Sequence, residues 1–586
     1  MRNFIDAFAV STRQKLKAFR NNQLGSVTQM FAVAAFPMVI AAGAAIDTVR
    51  IGREQASFNA AVDSAVLAVA ADDRASLAGL STSQQTARIA ELELFAKQYL
   101  NENYSPQFGD NTEISVDIDI TGSAIDLYAN HDFPTTIMKL TGIDEVNLNS
   151  HAQVMKAMRP IELVMVMDTT GSMATDDKIT GAKNAAKQLL NTVYGGTVTS
   201  VPQSEYIRVG LVPFAAAVRL NPSAYDFSLS WIDTTGTNPL SKLNFTSTSW
   251  HNYMAWSQLK RTSSAFHTWN GCVETRMRGT ASAGTDYNVN DVAPLASTPA
   301  TRFPAYFAPD TPSIRNLSSY PSSVRGDNWY GTYIPEDTTN PNEITSISPS
   351  SNATNWNDSP GYIGRQKNQN KYIGRNIGAE STAAGPWQGC AKSAVVPMTY
   401  NRANVEAGIN AMTANGPTLI AEGLMWGWRA ISPSEPFTKV EGTGTIPADT
   451  ISTYGHPRWQ KIMVLMTDGD NDLSPGVDTL NGTVYSAYGR GTETLANNRF
   501  GSTSSSNKET ELDNFMATAC TKIKAQGIEL YVTSFGNGVS TATRNRLQTC
   551  ATDADNYQHA TSSADLAAFF NHIGEDVLNK SIYVSK

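Results

Sequence analysis

At 586 residues, with a net charge of −8, the chain exceeds one ordinary domain, and length alone suggests about three or four. Charged residues make up 17%, below the usual ~25%, while Ser, Thr, Asn and Gly are abundant, a composition typical of outer surfaces. The large C-terminal part has no Lys/Arg cluster and the chain has no nucleic-acid motif, which argues against nucleic acid as a partner.

Residues 1–25 carry Arg2, Arg13, Lys15, Lys17 and Arg20 against a single acid, Asp6. From Val27 to Ile46 the chain is apolar apart from Thr28 and Gln29, about 20 residues, the span of a bilayer core. Basic residues are denser before this run than after it, where Arg50 and Arg53 alternate with Asp47 and Glu54. The positive-inside rule then puts the N-terminus in the cytoplasm and the remainder outside. A cleaved signal peptide is the rival, with Ala-rich residues for a cut site. The length of the run, and the small-residue stripe Ala61, Val62, Ala65, Val66 and Val69 that continues it, favour an anchor. Residues 22–71, NQLGSVTQMFAVAAFPMVIAAGAAIDTVRIGREQASFNAAVDSAVLAVAA, resemble the N-terminal region of TadE/G-like proteins of the Tad (Flp) pilus-assembly system. The resemblance implies a single-pass protein of a bacterial inner membrane whose C-terminal domains are periplasmic or extracellular.

Residues 73–158 are expected to form a small α+β stalk domain. A helix is predicted over Thr82 to Tyr99, then strand alternation at Ile114, Val116, Ile118 and Ile120, at Ile125 and Leu127, and at Val146 and Leu148. Phe133-Pro134-Thr135-Thr136 is expected to open a short helix to Leu140.

The chain is organised around Ile161 to Met173, IELVMVMDTTGSM. Its apolar run has the length of a buried strand and stops at Asp168. Asp168, Thr170 and Ser172 fall at alternate positions, so a loop leaving the strand can turn three oxygens towards one point, a donor set suited to a hard cation. These residues resemble the D-x-S/T-x-S motif of von Willebrand factor A domains, the metal-ion-dependent adhesion site. The bland alternative is a strand followed by a hydroxyl-rich turn. Two later segments in family order weigh against it. KIMVLMTDG, ending at Asp468 and Gly469, is a second such strand, and Asn415-Gly416-Pro417-Thr418 places a hydroxyl before the apolar-periodic segment Leu419 to Ile431. The resemblance implies that Asp168, Thr170, Ser172, Thr418 and Asp468 hold Mg²⁺ or another divalent cation. It further implies an open coordination place for an acidic residue of a protein partner among pilus or envelope components.

Lys178 to Val193 reads as an amphipathic helix stopped by Gly195, and Ile207 to Phe214 with Val218 to Leu220 as a strand pair. An insertion follows at 221–396, aromatic enough to be ordered, in which Trp231, Trp250, Trp329 and Tyr330 form either its own core or an interface; core is favoured. With Asn471 to Lys508, this insertion is expected to carry partner specificity. A helix through Leu512 and Ile523, a strand from Ile528 to Phe535, and a last helix behind Ser562-Ser563-Ala564-Asp565 complete the chain. None of the four cysteines has C-x-x-C spacing, which favours disulfides. Context pairs Cys272 of WNGC with Cys390 of WQGC and leaves Cys520 for Cys550.

The expected architecture is α/β: a doubly wound, mostly parallel von Willebrand factor A sheet over 159–579, interrupted at 221–396, behind a transmembrane helix at 26–72 and the stalk at 73–158. No G-x-S-x-G, H-E-x-x-H, P-loop or dinucleotide fingerprint occurs, and His456 and His559 are isolated. Asp470 and Asp472 lack the Gly and Glu of a calcium loop and are expected either to hold the ligand residues from behind or to cap loops. The expected function is non-enzymatic: a membrane-anchored adhesion or assembly protein of a Tad-type pilus. The alternatives are a metal-dependent hydrolase, which needs a general base that the sequence does not present, or an envelope A-domain protein unrelated to pili.

Overall fold

In the computed structural model of the protein, the described residues are 23–75, 82–105, 113–121, 124–195, 204–278, 286–310, 333–334, 366–380, 385–473, 484–490, 499–500 and 505–584. They form two units, Met1–Ala157 with Ile582–Lys586, and Met158–Ser581.

In the first unit, helix α1 (Gln23–Ala71) changes character along its length. Phe31, Val33, Phe36 and Val39 are exposed, as befits a segment long and apolar enough to cross a membrane. Phe58, Val62, Ala65, Val66 and Val69 follow at helical spacing and are buried. They pack in one core with Leu92, Ala96 and Leu100 of α2 (Thr82–Asn103) and with Ile118, Ile125, Leu127 and Leu148 of a sheet. That sheet is the antiparallel meander β1 (Ser115–Thr121), β2 (Ala124–Pro134) and β3 (Glu145–Met158), joined at its far edge by the C-terminal strand Ile582–Val584. The anchor and stalk, expected as separate segments, thus share a core, because the stripe of α1 beyond the apolar span needs cover. The helix expected from Phe133 is absent: Phe133 stays in β2 opposite Val146, and only a single turn forms at Met138–Thr141.

The second unit is built on a sheet whose order reverses at its first strand. β4 (Ile161–Asp168) pairs in parallel with β5 (Ile207–Phe214) on one side and with β9 (Gln460–Thr467) on the other. A short hairpin strand β6 (Ala217–Arg219) leads into the insertion, and β7 (Cys390–Ala394) returns from it beside β6. β8 (Val396–Thr399) lies antiparallel on β5, while β10 (Glu529–Phe535) and β11 (Tyr557–Ala560) extend the parallel side beyond β9. The order β8-β5-β4-β9-β10-β11 is the doubly wound 3-2-1-4-5-6 arrangement with one antiparallel edge, the von Willebrand factor A architecture expected.

Every residue of β4 is buried, so the strand is apolar on both faces. Leu163, Met165 and Met167 meet α3 (Lys178–Tyr194), α4 (Arg402–Ala411) and α8 (Ser563–Ser581). Val164 and Val166 meet α5 (Ile420–Ile431) and α6 (Ser505–Ala525). α7 (Thr541–Cys550) and β11 have no counterpart in the sequence reading: one is polar and the other is a four-residue strand. The insertion belongs to the α5 face and does not fold apart from it. Trp231 sits edge-on to Phe437, and Phe303 lies 4.8 Å from Trp426 of α5. Trp231 is buried and Trp250 partly so, against Phe245; Trp329 and Tyr330 lie outside the described residues. Cys272 is bonded to Cys390 and Cys520 to Cys550, with Cα separations of 6.2 and 5.1 Å.

Candidate metal centre at the strand switch

In a doubly wound sheet the ligand crevice opens where strand order reverses, at the C-terminal ends of the strands. Here that point lies between β4 and β9, and each strand delivers a carboxylate to it. Asp168 is the last residue of β4 and Asp468 follows the last residue of β9; both are buried.

The loops bring hydroxyls to the same point. Ser172 Oγ donates to Asp468 Oδ1 at 2.6 Å and lies 3.1 Å from Thr170 Oγ1. Asp168 Oδ1 accepts the Thr170 N–H at 2.8 Å, and its Oδ2 accepts the Thr467 hydroxyl at 2.7 Å. Thr418 arrives from the loop before α5. A methyl group on Gly469 would lie 3.3 Å from Thr418 Oγ1 and 3.9 Å from Ser172 Oγ, so the two hydroxyls flank the glycine after Asp468. Ser172 is exposed whereas Thr170 and Thr418 are buried, so the cluster opens to solvent on the Ser172 side.

Backbone contacts fix the three loops together. The Gly171 N–H donates to Gly416 O at 2.8 Å and the Asn415 N–H to Thr169 O at 2.7 Å. Gly416 has φ +80°, and a Cβ there would stand 2.8 Å from Gly389 O, so the position requires glycine twice over. Gly389 and Cys390 close the insertion, and Asn415 Nδ2 donates to Cys390 O at 2.9 Å. The insertion therefore ends one backbone away from the Thr418 loop, a placement that the sequence left open. The segment after Asp468 is tied in too: Glu274 of the insertion accepts from Tyr485 and, at 2.7 Å, from Arg499.

Three residues that the sequence reading passed over act here. Lys178, the first residue of α3, places its ammonium 2.8 Å from Asp468 Oδ2. Asp176 and Asp177, both in the left-handed region, turn the chain just before it. Thr467 holds Asp168 as above, and Asn471 caps α5 by accepting the Ile420 N–H at 2.9 Å. No sequence pattern marks Lys178 as a neighbour of Asp468, 290 residues on. Asp470 accepts the Ser540 N–H at 2.9 Å, which makes it a loop cap, one of the two roles expected.

Burial, and then the neighbouring Asp468 charge, push the Asp168 carboxyl up to about 7, against the hydrogen bonds from Thr170 and Thr467. Two buried carboxylates and three hydroxyls, with one ammonium that reaches Asp468 alone, lack positive charge, and their donors are all oxygen, a set that fits a hard divalent cation. Among the described residues no group of three or more His, Cys, Asp or Glu side chains forms a metal cluster, so any cation here relies on the hydroxyls.

Residues 25–72 match the family model described as putative Flp pilus-assembly TadE/G-like. No curated protein matches the chain. Among solved structures the chain is similar to the pilus adhesin SpaC from Lactobacillus rhamnosus GG, at 10% identity and a TM-score of 0.28, over 81% of this chain and 35% of that one. It thus spans about a third of that adhesin's length. It is also similar to the von Willebrand factor domain of the type V pili tip protein Mfa5 from Porphyromonas gingivalis, at 10% identity and a TM-score of 0.30, over 73% and 98% of the two chains. A third similarity is to proximal thread matrix protein 1 from the mussel byssus with a zinc-occupied MIDAS motif, at 12% identity and a TM-score of 0.18, over 73% and 98%. The chain joins a segment similar to TadE/G-like proteins to a doubly wound unit of von Willebrand factor A architecture.

Proposed function

We propose that the protein is a non-enzymatic adhesion or assembly component of a Tad-type pilus, held in the inner membrane by α1 with its N-terminus cytoplasmic. On this reading Asp168, Thr170, Ser172, Thr418 and Asp468 hold Mg²⁺ or a similar cation, which takes a carboxylate of a protein partner on the open Ser172 side. The observation that carries the proposal is the meeting of Asp168 and Asp468, buried and short of positive charge, with the hydroxyls at the strand switch. A bound dication would supply the missing charge and leave the site ready for an acidic ligand. The TadE/G-like match supports the pilus setting. Ionisable neighbours that a hydrolase would recruit as a base are already engaged, Lys178 on Asp468 and Asp470 on Ser540. Calorimetry of Mg²⁺ binding to the wild type and to Asp168→Ala tests the site. Binding lost in the variant is expected, and equal affinity in both proteins would overturn it.

A further inference from the structure

We propose that the connection between β2 and β3, Thr135 to Ile143, is a second membrane contact. It rests on the outer surface of the bilayer that α1 crosses, with Leu140 and Ile143 in the boundary between headgroups and acyl chains. The inference depends on α1 being a bilayer anchor.

The tip is fastened to α1 where its apolar run ends. A Cβ on Gly43 would lie 2.1 Å from Ile137 Cγ2, so the tip packs directly on the helix backbone there. One helical turn on, the buried Asp47 accepts the N–H groups of Thr136, Ile137 and Met138 at 3.2, 2.7 and 2.8 Å. Arg50 completes the joint, bonding Asp47 Oδ1 at 3.1 Å and the Thr136 hydroxyl, and lying over the Phe133 ring. Gly43 precedes Ile46, the last residue of the apolar run, by roughly 4.5 Å along the helix axis. The tip therefore reaches the level at which the bilayer core gives way to headgroups.

What the tip presents at that level is apolar. Leu140 is 73% exposed, matching Phe31 at 74% and Phe36 at 70% on the membrane-crossing part of α1. Ile143 is exposed as well, and no residue of the turn Met138–Thr141 is buried. Lys139, also exposed, supplies a cation suited to lipid phosphates. The turn is built rather than loose, since Gly142 at φ +90° closes it and the Thr135 N–H donates to Asp144 O at 2.9 Å. Leu94 provides the contrast. It is 69% exposed on α2, beside Glu93, which bonds the Ile118 N–H opposite Leu127, some seven residues or about 23 Å up β2 from Pro134.

The test uses the full chain in vesicles of phosphatidylethanolamine and phosphatidylglycerol. The described cysteines are all in disulfides, so an introduced thiol is the one labelled. An environment-sensitive fluorophore is attached to Leu140→Cys, Ile143→Cys and, for comparison, Leu94→Cys. The expected result is blue-shifted emission at both tip positions, quenching by nitroxide-bearing lipids, and iodide quenching severalfold weaker than at Leu94→Cys. Equal iodide quenching at tip and comparison positions in membrane-retained protein would overturn the tip contact alone. Iodide protection without lipid-nitroxide quenching would overturn it too, by assigning the cover to protein. Release of the wild-type chain by alkaline carbonate would overturn the anchor, and the tip with it.

Discussion

β4 carries a buried carboxylate near each end, and the two ends of the strand treat them oppositely. At the N-terminal end Glu162 accepts from Arg208 at 2.7 Å, from Lys461 at 2.5 Å, and from both the backbone N–H and the hydroxyl of Ser452. Arg208 also reaches Asp449 and stacks 3.6 Å from the Trp459 ring centroid. At the C-terminal end Asp168 has one N–H and one hydroxyl, faces a second carboxylate, and leaves the cation, Lys178, to that partner. Formal charge balances at the first end and is short of a positive charge at the second. A strand lock needs every lone pair answered within the protein, whereas a receptor site leaves charge for something else to answer.

Breaking the balanced end should have the largest effect. Glu162→Gln removes the negative charge that Arg208 and Lys461 share and leaves the buried Lys461 without its ion-pair partner, and we expect it to lower the unfolding free energy in urea by about 3–5 kcal/mol. Mg²⁺ affinity of the folded variant should be unchanged, and a loss of less than about 1 kcal/mol would mean that the lock is dispensable.

The unbalanced end should announce itself through pH. Because burial and Asp468 raise Asp168 to about 7, the folded protein holds this proton more tightly than the unfolded chain does. Its contribution is complete below about pH 4 and is lost as pH rises through about 7. In chelator the thermal midpoint should therefore fall across that interval, and in Mg²⁺ the fall should flatten. The same slope with and without Mg²⁺ would uncouple Asp168 from the cation.

Lys178→Met sharpens the contrast with the smallest effect. Removing the resident ammonium from Asp468 should strengthen Mg²⁺ binding roughly tenfold in calorimetry, the order of one charged hydrogen bond. Weaker binding would mean that Lys178 supports the site and does not compete for it.

The strand ends at Asp168 and Asp468 were legible because an apolar run that stops at a carboxylate is a local pattern, and the doubly wound class was legible from strands alternating with helices. Lys178 and Thr467 were not, because their roles depend on where loops from distant segments cross. The insertion was legible only in part for a related reason. Its aromatics do form a core, but one shared with Trp426 and Phe437 of the sheet's own cover, and no property of Trp231 or Phe303 alone says which neighbour they will meet. The tip at Leu140 was read as a helix because Phe133-Pro134-Thr135-Thr136 resembles a helix start, and strand pairing to Val146 overrode it.

The sequence separation of 299 between Asp168 and Thr467 also sets a clock. β4 can pair with β5 soon after both exist, but its other edge waits for β9. At a synthesis rate of about 5–20 residues per second that wait is roughly 15–60 s. Throughout it, a strand that is greasy on both faces stands with one row of amides unpaired, the kind of edge that joins other chains. The loops that carry Asp168 and Asp468 cannot meet until it ends. Until the far side of the sheet arrives, the folding chain therefore carries an open edge along β4 that only late synthesis closes.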